Sequence, residues 1–186
     1  MTAPATCYDA RKPKAGVEGL GTPSYTDYTS AEDFFEAVRQ ASREAERTRL
    51  TLLQMEAREG VRAQGYEPRV MVGGERDKMA ATDSRIDYEA RMAERIEQDY
   101  RLLDMACQVL YGRESSKGGV DALMGSEVAD CISFRYVDAR PWKEVAALMG
   151  YSHASWRALR DMCQRGFDCI DSLGWERAIE GVGDAT

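Results

Sequence analysis

The residues with the clearest chemistry are Ser152, His153, Ser155, Arg157 and Arg160, with Lys143 a few positions upstream. They lie within Pro141–Asp161, PWKEVAALMGYSHASWRALRD, which reads as a helix, a three-residue turn and a second helix. With Trp142 as the first position of a twenty-residue unit, Ala146 is small where two helices must cross. Gly150 falls in the turn, where φ > 0 carries no Cβ penalty. Trp156 and Leu159 are expected to point inward from the second helix, and Val145 and Met149 to supply the apolar face of the first. Trp142 and Trp156 are read as core anchors. The side chains left over are those that a helix entering a DNA major groove presents. An arginine at position 157 can grip guanine O6 and N7 together, which is worth about 1–3 kcal/mol of discrimination. Ser152 is placed to cap the second helix, and His153 and Ser155 are short donors and acceptors near the groove floor. Lys143 and Arg160 are placed for backbone phosphates, which position a protein without specifying sequence.

That unit needs elements to hold it. The chain has 186 residues, 44% hydrophobic and 31% charged, with five prolines, which suits a solvated, all-α protein of one or two small domains. Residues 1–29 hold Pro4, Pro13, Pro23, Gly16, Gly19 and Gly21 and read as a flexible arm, with Tyr25 and Tyr28 packing near its end. Residues 30–111 read as a long antiparallel helical hairpin, coiled-coil-like in its spacing. The first helix starts at Thr29 or Ser30 as cap and carries the seam Phe34, Val38, Ala41, Ala45, Thr48, Leu52, Met55. Gly60 is expected to end it, and residues 61–78, with Gly65, Pro68, Gly73 and Gly74, to form an irregular link. The second helix carries Ile86, Ala90, Ala93, Ile96, Tyr100, Leu103, Cys107 and Leu110. Such seams pair within one chain or between two, so a homodimer through the hairpin stays open. Residues 112–119 (GRESSKGG) read as a flexible linker. A three-helix domain is expected over 120–175, its first helix around Leu123–Tyr136, its last continuing past Gly166 to a stop at Gly174. Residues 176–186 read as a frayed tail.

The net charge of −7 argues against a general nucleic-acid coat, although His153–Phe167 carries Arg157, Arg160 and Arg165 against Asp161 alone. Cys7, Cys107, Cys131, Cys163 and Cys169 form no CxxC and fit a reducing cytoplasm, most of them as small hydrophobes. One histidine excludes His-rich metal sites. No run approaches the roughly 18 apolar residues of a membrane span. Without paired catalytic groups or a phosphate-binding glycine loop, neither an enzyme nor a cofactor is expected.

The run Ala129–Gly174 resembles region four of sigma-70-type factors, most nearly as it occurs in small sigma-like regulators of phages and prophages. Arg135-Tyr136, Trp142, Val145-Ala146, Gly150 and Ser152 match the shared pattern in order. The reading helix is less basic than in strong promoter binders, and no segment resembles the sigma region that melts the −10 element. The resemblance therefore implies a regulator that touches double-stranded DNA through the helix 153–165, with RNA polymerase as a further partner, and not an autonomous sigma factor. A small terminase-like packaging subunit and a helical protein-interaction module are the other two readings.

Overall fold

The structure, a computed structural model, describes residues 23–64, 80–113 and 117–181. The proline- and glycine-rich part of the arm and the Gly65–Gly74 link lie outside them. The protein is all-α, with no strand among the described residues. Helices α1 (Ala31–Gln64) and α2 (Ala80–Tyr111) form the long antiparallel pair. Five shorter helices follow: α3 (Val120–Met124), α4 (Ser126–Ile132), α5 (Trp142–Leu148), α6 (Trp156–Leu173) and α7 (Trp175–Glu180). A π-helical turn over Ser133–Val137 extends α4.

The start of α1 is capped twice. The Ser30 hydroxyl accepts from the Asp33 N–H (3.2 Å), and the Ala31 N–H donates to the Asp171 carboxylate of α6 (2.8 Å). Ser30 is the local cap that the sequence indicates; Asp171 reaches the same positive helix end from 140 residues away. The arm docks ahead of this point through a short 3-10 turn, Tyr25–Asp27, capped by Ser24. Tyr25 stacks on Trp175 at 5.2 Å, and Tyr28 meets the edge of Phe34.

Several boundaries differ from those read in the sequence. Helix α1 does not stop at Gly60 but runs on to Gln64. An interior glycine costs only about 1 kcal/mol relative to alanine, and the residue types on either side favour helix. The first C-terminal helix is broken at Gly125, which has φ 97° and separates α3 from α4. The segment expected as a loose linker is packed at its end: Gly118 and Gly119 are buried, and the Gly119 N–H donates to the Ala178 carbonyl (2.7 Å). A Cβ on Gly118 would fall well inside contact distance of the Ile179 carbonyl and the Gly181 nitrogen. Of the expected tail, residues 176–180 belong to helix α7, whose Ala178 and Ile179 are buried, and residues 182–186 lie outside the described residues.

The hairpin seam is only half right. On α1, Phe34, Val38, Ala41 and Thr48 are buried and Ala45, Leu52 and Met55 half-buried, with Phe35 added on the neighbouring side. On α2 the expected stripe holds at its end, where Leu110 is fully buried and Leu103 and Cys107 half-buried, and is turned before it. Ile86 is 52% exposed, and Ala90, Ala93 and Tyr100 are exposed as well. The covered stripe runs through Met92, Ile96, Asp99, Leu102, Ala106 and Val109. Two causes act together. Asp99 interrupts the apolar pattern of this stripe, and the end of α2 is covered by helices from distant sequence.

One core joins the hairpin base to the C-terminal helices. Phe35 stacks on Phe167 (5.3 Å between centroids), and both meet Tyr136 edge-on. Phe34 meets Trp175 edge-on. The buried thiols of Cys131 and Cys163 lie 3.5 Å apart between α4 and α6. Helix α6 runs through Gly166 without a break. Gly166 lets α6 approach α4 closely, since a Cβ there would meet Ile132 Cδ1 at 2.7 Å.

Candidate nucleic-acid interface

The segment after Pro141 builds two helices across a tight turn. Pro141 is extended (φ −68°, ψ 149°), and its carbonyl accepts from the Glu144 and Val145 N–H groups (2.9 and 3.1 Å). Helix α5 ends on Gly150 with φ 74°. The Gly150 N–H donates to the Ala147 carbonyl (3.2 Å) and the Tyr151 N–H to the Ala146 carbonyl (2.7 Å). These are the paired 5→2 and 6→1 bonds of a Schellman ending, and a side chain at position 150 would resist that φ. Ser152 then turns the chain: its hydroxyl accepts from the Ala154 N–H (3.4 Å) and its carbonyl from the Ser155 N–H (2.9 Å).

His153–Ser155 form a 3-10 turn, so the α-helical part of the expected reading helix starts at Trp156 rather than at residue 153. This turn also overrides one expectation. Trp156 does not point into the core; it is 40% exposed. With the tighter turn before it, the buried face of α6 runs Leu159, Met162, Cys163, Gly166, Phe167 and Ile170. Ser155 rather than Trp156 sits half-covered behind Leu159. Trp142 does pack against the core, under the Arg135 guanidinium (4.6 Å from the ring centroid). Val145 and Ala146 are fully buried at the α5–α6 crossing.

Of the candidate site residues, Lys143, Ser152, Arg157 and Arg160 are exposed and Ser155 is half-buried. For His153 the structure describes the backbone only, within the 3-10 turn. Arg157 lies over the Trp156 ring, its guanidinium carbon 5.3 Å from the centroid. Lys143, Arg157 and Arg160 make no ion pair among the described residues, so their charges are available to a ligand. Arg140, just ahead of α5, is held by Glu144 at 3.4 Å.

The same surface has apolar and acidic parts that the sequence pattern did not reveal. Leu148 is 58% exposed at the end of α5, and Tyr151 is exposed in the turn. The Tyr151 hydroxyl bonds to Glu127 of α4, which raises the phenol pKa above its ordinary value. The surface therefore joins unpaired cations to an apolar rim, with the carboxylate of Glu127 behind it and those of Glu144 on α5 and Asp161 on α6 beside it. It offers charge-assisted and bidentate hydrogen bonds together with stacking area. No group of His, Cys, Asp and Glu among the described residues is arranged to hold a metal ion, and no described helix is long and apolar enough to cross a membrane. No protein-family model, no curated protein and no solved structure matches the chain.

Proposed function

We propose that the protein is a DNA-binding transcriptional regulator of the phage type, in which α5, the Gly150 turn and α6 act as a helix-turn-helix. The observation that carries this reading is the Schellman ending at Gly150, followed by a capped turn that leaves Lys143, Ser152, Arg157 and Arg160 exposed on neighbouring elements. In this arrangement the start of α6 meets base edges, and the start of α5 lies over the sugar-phosphate backbone. Arg157 reads and Lys143 and Arg160 position. A duplex selected from a random pool on the full chain, then titrated at about 50 and about 200 mM salt, tests it. The expected result is binding that weakens steeply with salt, and an Arg157→Ala variant that loses about 1–3 kcal/mol and relaxes preference at one base pair. Absence of any binding at the lower salt sinks the proposal.

A second contact is supported by a separate observation. Leu148, Tyr151 and Trp156 are exposed on the segment that carries the arginines. Large apolar residues there favour a protein partner beside the duplex, for which RNA polymerase is the candidate. The exposed Leu50, Leu53, Ile86 and Tyr100 of the hairpin favour pairing of two chains. Light scattering separates the regulator from a packaging subunit: a monomer or dimer fits the regulator, and a ring of many subunits fits the packaging component.

A further inference from the structure

Arg39, Arg43 and Arg47 recur at intervals of four residues on α1, which places them along one face. With Glu36, Gln40 and Glu44 they line a shallow, open cleft formed by this one face of α1. Arg135, from the π-helical turn, stands beside this row. Its residue is 9% exposed, its Nη1 donates to the Arg140 carbonyl (2.8 Å), and its Nε is buried without a partner. The Nε of Arg39 is likewise buried and unpartnered. Burial and the neighbouring charges of Arg39 and Arg43 lower the pKa of Arg135.

The nearby carboxylates neutralise the row only at Arg39. Glu36 holds Arg39 through both oxygens at 3.2 Å, and Glu44 is paired with Arg95 of α2. Arg43 and Arg47 make no ion pair or side-chain hydrogen bond among the described residues. In a chain of net charge −7, the cleft thus gathers cations that repel one another and have spare donors. Such a site is stabilised by an anion with several oxygens, because guanidinium groups bind phosphate through paired N–H donors.

The position of the cleft indicates which anion. Arg135 lies over Trp142, the first residue of α5, and Arg140 is close enough to influence Glu46 of α1. The row therefore runs beside the π-helical turn that packs on both α1 and α5, and Lys143 of α5 is exposed. From Arg39 to Arg47 it spans about 12 Å of helix axis. A DNA strand presents three or four phosphates over that length, at about 3.4 Å of rise each. We propose that the Arg39–Arg43–Arg47 cleft, backed by Arg135, binds phosphate groups, namely those of the duplex backbone flanking the site read by α6. The choice of DNA as their source rests on the function proposed above; the phosphate chemistry does not.

The test compares the full chain with the double variant Arg43→Gln/Arg47→Gln, whose side chains are exposed or lie along the cleft and support no core contact. A second double variant, Arg58→Gln/Arg91→Gln, removes the same charge from exposed positions in the distal half of the hairpin. Each protein is titrated with the selected duplex across a salt series, and separately with inorganic pyrophosphate, while circular dichroism checks folding. The cleft variant is expected to lower the slope of log K against log salt by about 1.8, equally for all sequences, and to lose pyrophosphate binding. The distal variant should retain both. If the wild-type chain binds no DNA but binds pyrophosphate through Arg43 and Arg47, the site stands with free phosphate as its ligand and the DNA reading fails. If the cleft variant keeps the wild-type slope and pyrophosphate affinity, or the distal variant loses as much, the site is wrong.

Discussion

The base of the helical hairpin and its distal half share two helices but are stabilised differently. At the base, Phe34, Phe35, Val38, Ala106, Val109 and Leu110 are fully buried against the C-terminal helices. Among the described residues beyond Thr48 on α1 and before Leu102 on α2, no side chain is buried to that degree. The distal half shows Leu50, Leu53 and Ile86 to solvent and carries surface ion pairs such as Arg49–Glu46 and Arg85–Glu89. Exposed pairs of this kind contribute a few tenths of a kcal/mol each, so helix propensity and a partial seam hold the distal half. Burial by the C-terminal helices, more than the heptad pattern, makes the base rigid. The candidate DNA head is attached to that rigid end.

The largest expected effect follows from this contrast. Phe35→Ala removes a fully buried ring stacked on Phe167 and should lower the unfolding free energy by about 3–5 kcal/mol. Leu53→Ala, on the exposed distal face, should stay within about 0.5 kcal/mol at concentrations where the chain is monomeric. Urea unfolding of both variants measures the difference. Equal losses would mean that the two halves of the hairpin are covered to the same extent, and the contrast would fail.

A smaller effect tests how the base is closed. Gly118→Ala places a Cβ against the backbone of Ile179 and Gly181, and neither can swing away as a side chain would. Overpacking of this kind costs about 1–3 kcal/mol. The loss should appear together with a change in fluorescence as Trp175 shifts from its stack with Tyr25. A flexible linker at this position would tolerate the alanine without loss, so unchanged stability would restore that reading.

What the sequence made legible shares one property: the residue type answers a local demand of the backbone. Gly150 supplies a positive φ, Ser152 a hydroxyl cap, Ser30 another, and Val145, Ala146 and Leu159 lie at spacings one helix crossing requires. Most departures fall where distant parts of the chain decide. The buried stripe of α2 depends on helices that lie beyond it in sequence. Helix α7 is a single short segment whose Ala178 and Ile179 are defined by what they pack on, not by any period. Trp156 departs for a local reason: a 3-10 turn before α6 changes the phase of its first residues and leaves the ring exposed. The arginine cleft was missed because Arg39, Arg43 and Arg47 alternate with acids along α1 and look like a solvated face until Arg135 is brought beside them.

The smallest effect concerns Asp99, at the boundary between the two halves and inside the buried stripe of α2. Burial and the charge of Glu44 raise its carboxyl pKa to about 6, against the opposing influence of Arg95. A carboxyl whose folded pKa exceeds its unfolded value of 3.8 binds its proton more tightly in the folded chain. Stability from this group is therefore greatest below about pH 4, falls as the pH rises towards about 6, and is constant above that. The full shift would correspond to about 3 kcal/mol, but Asp99 is only partly covered, and screening by solvent reduces this to about 1 kcal/mol. Asp99→Asn keeps the shape and removes the charge. It should match the wild type at pH 4 and exceed it by about 1 kcal/mol at pH 7 in urea unfolding, with the gain appearing between those values. Because every other carboxylate titrates in both proteins, the difference isolates this one. A gain that is the same at pH 4 and pH 7 would arise from packing or helix propensity, and Asp99 would then be an ordinary residue of the exposed half, leaving the border of the covered region closer to Leu102.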